Sequence, residues 1–122
     1  MYIAQLQDPT FAGRDLTSLR TGIMSGSPCP IEIMKRVIDE MHCPQMCIVY
    51  GQTETSPAIT HTRPHDAAAD KSETIGQPIA QIEVKIIDPA SGGIVPVDTP
   101  GELCTRGFLV MMGHYDMPEA TA

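Results

Sequence analysis

Two short apolar runs, Leu19–Met24 and Met46–Tyr50, bracket a segment whose apolar residues recur at helical spacing. Ile31, Met34, Val37, Ile38 and Met41 fall on one face of a helix over that segment. Lys35, Arg36, Asp39 and Glu40 fall on the other, with Glu32–Arg36 and Arg36–Glu40 pairs four residues apart. Pro30 suits the first turn, where its missing N–H costs nothing, and Glu32 suits the positive end of the dipole. Pro44 closes the helix. Strand, helix and strand at this spacing predict a βαβ unit, with parallel strands joined by a right-handed crossover. The expected fold class is therefore α/β.

After Tyr50 the pattern changes. From Thr55 to Gln77 the chain is polar and punctuated by Pro57, Pro64 and Gly76, which predicts a long surface loop with a helical turn near Asp66–Asp70. From Ile82 to Ile87 the residues alternate with period two, and Asp88–Gly93 reads as a turn. Glu102–Arg106 and Phe108–Met112 read as further strands broken by Gly107, with Met111 and Met112 in the core. The second half is expected to be an antiparallel, barrel-like β subdomain. A boundary near residue 78 divides a partial α/β subdomain, 1–78, from a partial β subdomain, 79–122. Met1–Leu6 reads as the tail of a helix stopped by Asp8-Pro9, and Pro118 as a helix start. Both suggest a piece of a longer protein, whose unmatched apolar surfaces would favour self-association.

Charge and composition narrow the function. A net charge of −7 argues against a nucleic-acid backbone as partner, which calls for a basic surface. No run approaches the ~20 apolar residues of a transmembrane helix, and no secretory signal is visible. Cys29, Cys43, Cys47 and Cys104 form no CxxC pair, and free thiols in a reducing cytoplasm are expected. Zinc held by Cys43, Cys47 and a histidine is the minor alternative. His61 and His65 are separated by Pro64, which disfavours a helix presenting both to one metal. Ser25 lacks the glycine two residues before it that a nucleophile elbow needs. Arg106 is expected to pair with Glu102 at the surface.

The segment Tyr50-Gly51-Gln52-Thr53-Glu54 sits where the second strand of the βαβ unit ends. Ligands of open α/β sheets bind at such carboxyl ends. Tyr50 offers a flat ring to a base, and Gly51 lets the backbone come close. Thr53 offers a hydroxyl to a phosphate, and Glu54 a carboxylate to magnesium. An ordinary strand-end turn with solvated Thr and Glu accounts for the same residues.

The segment resembles the Tyr-Gly-x-Thr-Glu signature of adenylate-forming enzymes, the superfamily of acyl-CoA synthetases, peptide-synthetase adenylation domains and luciferases. Leu19–Met41 is similar to the strand, turn and helix that precede that signature. Thr74–Ile79 resembles the Gly-x-Pro loop that follows it, and the stretch from Gly101 resembles the Gly-Glu-Leu, Arg-Gly and Pro-Glu-Ala-Thr run beyond. The resemblance covers nearly the whole chain. The wording RTGIMSGSPCP, Arg20–Pro30, looks closest to fatty-acyl-CoA synthetases.

The resemblance implies roles. Ser25, Gly26, Ser27 and Pro28 would form the turn that lines adenine, and Tyr50 would pack on the ring. Gly51 and Gln52 would border the acyl group. Thr53 would bond a phosphate, and Glu54 would help bind Mg2+. The implied reaction joins a small carboxylic acid to ATP, giving acyl-AMP, and then passes the acyl group to CoA. Such chemistry depends on positioning and charge neutralisation more than on a protein nucleophile. The family's glycine-rich phosphate loop followed by lysine is not found in the 122 residues. Neither are the ribose-binding aspartate expected after Pro118 and the lysine-bearing C-terminal domain. The fragment alone is therefore expected to be inactive. His114 stands where the family usually has Tyr, and it is read as a rim residue. The alternatives are an adenylation domain loading a carrier protein, or a non-catalytic interaction module.

Overall fold

The strand, helix and strand are present in the computed structural model, which describes residues 1–121. The residues fall into two units, one made of Met1–Tyr50 and Thr60–Gln77, the other of Gly51–Ile59 and the described residues from Pro78 onward. Gly51–Ile59 thus packs with the β half, although it precedes Thr60–Gln77 in the chain.

In the first unit, β1 (Thr21–Met24) and β2 (Gln45–Tyr50) are parallel, with Met24 opposite Ile48. Between them runs α2 (Ile31–Glu40), preceded in the chain by the short α1 (Tyr2–Leu6). The helical face is the expected one: Met34, Val37 and Met41 are buried, alongside Met24, Met46 and Ile48. Burying Met34 and Val37 completely contributes roughly 2 kcal/mol each. The helix stops before Pro44 because His42 takes a left-handed conformation, φ 51°, and the Cys43 N–H turns back to the Ile38 carbonyl at 3.2 Å. Arg36 pairs with Glu40 as expected, but Glu32 pairs with Lys35, three residues on, rather than with Arg36.

The expected surface loop from Thr55 to Gln77 is structured and partly buried. Thr60–His61 forms β3, antiparallel to β2, and Gln77–Pro78 forms β4, in the order β1-β2-β3-β4. The helical turn is longer and later than expected: α3 spans Ala68–Glu73. Thr60, Thr62 and Lys71 are buried. The Lys71 ammonium donates to the Pro64 carbonyl at 2.7 Å, and the Thr60 hydroxyl to that of Ile75 at 2.6 Å. Polar residues tolerate this burial because backbone carbonyls replace their water. At Gly76, with φ +77°, an added Cβ would lie 2.1 Å from the His61 carbonyl oxygen, so no side chain fits there.

In the second unit, β5 (Glu83–Ile87) and β6 (Glu102–Arg106) form an antiparallel hairpin pairing Glu83 with Arg106 and Ile87 with Glu102. Among the described residues this sheet has two strands, and no closed barrel forms. Phe108–Met112 is not a strand. It lies in turns and bends between Gly107 and Gly113, whose φ values are +155° and +154°. Met112 is fully exposed rather than core, and Phe108 is 75% exposed. Arg106 pairs with Glu83 across the hairpin, not with Glu102 along its own strand. A small cluster of Ile59, Ile82 and Leu109 is buried beneath Ile79, Val84 and Leu103. The short α4 (Pro118–Thr121) follows.

Candidate functional site

The parallel register of β1 and β2 brings their carboxyl ends to one edge of the sheet, since Met24 is level with Ile48. Ser25–Pro28 leaves from one strand end and Tyr50 closes the other. Gly26 has φ +82°, a left-handed conformation that glycine adopts without strain. Ser25, Ser27 and Pro28 line a hollow of about 240 Å³ with Tyr2, Ile23 and Cys29. The Tyr2 hydroxyl donates to the Ile23 carbonyl at 2.9 Å, and burial, aided by the nearby Cys43, raises its pKa. Burial also pushes the Cys29 thiol up, and its Sγ lies 3.2 Å from the Met24 sulfur. Tyr50 shares the sheet edge with this turn but does not line the hollow, and it is 40% exposed.

The residues after Tyr50 belong to the second unit. An added Cβ on Gly51 would lie 1.9 Å from the Pro57 carbonyl oxygen, so this position excludes every side chain. Thr53–Thr55 then makes one turn of 3-10 helix. The buried Thr55 braces it: the Gln52 N–H donates to Thr55 Oγ1 at 3.1 Å, and that hydroxyl donates to the Gln52 carbonyl at 2.8 Å. Ser56 ends the turn in a left-handed conformation, φ 55°. The Met111 N–H donates to the Glu54 carbonyl at 2.9 Å. The backbone of the turn is therefore held by its own bonds. Gln52 and Thr53 are exposed and Glu54 is half-buried. Among the described residues, nothing bonds the Thr53 hydroxyl or pairs with the Glu54 carboxylate.

The described residues contain no cluster of three or more His, Cys, Asp or Glu that could cage a metal. A lone carboxylate suits Mg2+ carried by phosphates, because that ion keeps its waters and takes one or two protein carboxylates. Cys43 is buried at the end of α2, and Cys47 lies within β2; none of the four cysteines is in a disulfide. His114 is exposed. No described helix is long and apolar enough to cross a membrane. Two bracing residues were not singled out from the sequence, Thr55 and Thr62. The signal for Thr62 was the period-two placement of two β-branched threonines, Thr60 and Thr62, directly after Ile59.

Known proteins match this arrangement. The family of AMP-binding enzymes matches residues 1–115. YngI of Bacillus subtilis, a candidate acyl-CoA synthetase, is 50% identical over 121 residues, covering 99% of this chain and 22% of its own. The mitochondrial medium-chain acyl-CoA ligase ACSF2 of Danio rerio is 42% identical, covering 99% of this chain and 20% of its own. The crystal structure of the anthranilate CoA ligase AuaEII, in complex with anthranoyl-AMP, superimposes with a TM-score of 0.83 at 22% identity, over 98% of this chain and 22% of that one. The chain thus spans about a fifth of the length of the relatives it matches. With a family match over residues 1–115, the chain belongs to the AMP-binding enzymes.

Proposed function

We propose that this chain forms part of the nucleotide site of an ATP-dependent acid–thiol ligase that activates a fatty or related carboxylic acid and transfers it to CoA. The observation that carries this reading is the braced turn from Gln52 to Ser56, whose Thr53 and Glu54 side chains have no partner among the described residues. Its relatives' names point the same way: YngI is named for acyl-CoA synthesis, and ACSF2 for medium-chain acyl-CoA ligation. When bound, ATP with Mg2+ supplies an electrophilic α-phosphate and a pyrophosphate leaving group. The chain's own residues orient and neutralise. Tyr50 gives the base a ring face, with the Ser25–Pro28 turn at the same sheet edge. The Thr53 hydroxyl donates to a phosphate oxygen. The Glu54 carboxylate is the group that would hold the magnesium. Gly51 and Gln52 border the acyl group. Thr53 and Glu54 are thus the catalytic residues of this segment. A turn already fixed by its own bonds loses little freedom when a ligand arrives, which favours binding.

The test is ATP–pyrophosphate exchange by the full-length protein with octanoate. Glu54→Gln should lower exchange by about a hundredfold, the loss typical of one group that stabilises transition-state charge. Thr53→Ala should lower it less, and CoA should accept the acyl group. Unchanged exchange in Glu54→Gln would contradict the assigned role. Transfer to a carrier protein but not to CoA would move the chain to the carrier-loading branch. The 122 residues alone should show no exchange, for want of the phosphate loop and its lysine.

A further inference from the structure

We propose that Thr62 is a positioning residue for Tyr50, acting as a hydroxyl clip on the strand that presents it. The inference rests on the nucleotide reading of Tyr50 given above. In the antiparallel pairing of β2 with β3, Tyr50 faces Thr60 and Val49 faces His61. The next pair in register is Ile48 with Thr62, and a regular ladder would exchange two backbone bonds there. One of them forms: the Thr62 N–H donates to the Ile48 carbonyl at 3.0 Å. The other is replaced, because the Ile48 N–H donates to the Thr62 hydroxyl oxygen at 2.9 Å instead of to its carbonyl. That carbonyl lies 2.9 Å from His61 Nδ1.

The chain therefore turns away from the sheet at Thr62, and the hydroxyl keeps the ladder closed as it leaves. β3 has only two residues, so this side-chain bond is a large share of what fastens it to β2. Thr62 is 1% exposed, and its loss would leave the Ile48 N–H without an acceptor in the interior. The other end of β3 is fastened by the Thr60 hydroxyl, which donates to the Ile75 carbonyl, and by the close approach of Gly76 to His61. Tyr50 lies opposite Thr60, at the carboxyl end of the segment so clamped. A ring on a frayed strand end would have to be ordered at the moment of binding, which weakens affinity.

The experiment is titration of the full-length protein with AMP, comparing wild type, Thr62→Val, Thr62→Ser, Tyr50→Ala and the double variant Tyr50→Ala/Thr62→Val. Thr62→Val should raise the Kd about three- to tenfold, the range expected for one hydrogen bond. Thr62→Ser, which keeps the oxygen, should restore it. The double variant should bind no worse than Tyr50→Ala alone, because the clip acts through the ring. Additive losses, an unchanged Kd in Thr62→Val, or no rescue by serine would overturn the inference. If Thr62→Val does not fold, Thr60→Val removes the partner clamp at the other end of β3, and the same rise is expected; its absence overturns the proposal equally. Tyr50→Ala with unaltered affinity would instead refute the nucleotide reading itself.

Discussion

The first unit buries eight residues in one apolar cluster, whereas the described residues of the second bury three. Met34, Val37, Met46 and Ile48 are sealed between α2 and the sheet. In the second unit Ile59, Ile82 and Leu109 are the buried hydrophobic residues among those described, while Phe108, Met112 and Tyr115 stand exposed. Tyr50 ends a strand of the well-packed unit, and Gly51–Glu54 sits in the thinly packed one, where hydrogen bonds rather than apolar burial hold the turn. Packing fixes a strand end cheaply, but a turn that must expose polar side chains to a ligand is better held by its own backbone.

That contrast can be broken by mutation. Met34→Ala should cost about 3 kcal/mol in denaturant unfolding, because it leaves a cavity in a sealed core. Leu109→Ala should cost less, because its cluster is smaller and more easily relaxed; equal losses would erase the distinction. Gly51→Ala should cost about 2 kcal/mol, since a Cβ at 1.9 Å from the Pro57 carbonyl forces the turn open. It should also weaken AMP binding, whereas Met34→Ala should leave the affinity of the folded fraction intact.

The thiols sharpen the comparison by pH. Burial raises the pKa of Cys29, Cys43 and Cys47, all in the first unit. Folded thiols then stay protonated where unfolded ones ionise, so the stabilisation is complete at neutral pH. It declines as pH climbs through roughly 8.5, the ordinary thiol value, towards the raised ones. Unfolding midpoints should drop over that window, and serine replacements at the three sites should flatten the drop. The smallest effect belongs to the hairpin. Arg106→Gln removes an exposed pair with Glu83 and should shift stability by less than ~1 kcal/mol.

The strands β1 and β2 and the helix α2 were legible because apolar period and the flanking prolines agree with the packing that forms, while β3 and β4 fell in a segment that reads as a loop. β5 and β6 were legible for the same reason, to within a residue or two. Three features were not. Phe108–Met112 is apolar enough for a strand, but between Gly107 and Gly113 it runs in turns and bends that expose Phe108 and Met112 and bury Leu109. Thr60, Thr62 and Lys71 read as surface residues because their buried partners are backbone carbonyls and amides, which composition does not reveal. Arg106 reaches Glu83 rather than Glu102 because hairpin register, invisible along one strand, decides which charges meet. At the candidate site, the residue types from Tyr50 to Glu54 were readable, while the brace by Thr55 depends on a turn geometry that only the fold displays.

The most direct measurement is a crystal structure of the full-length protein with AMP and Mg2+. The account predicts the adenine against the Tyr50 ring beside the Ser25–Pro28 turn, with the phosphate within hydrogen-bond reach of the Thr53 hydroxyl. AMP seated elsewhere, with Tyr50 and Thr53 both in open solvent, would contradict it.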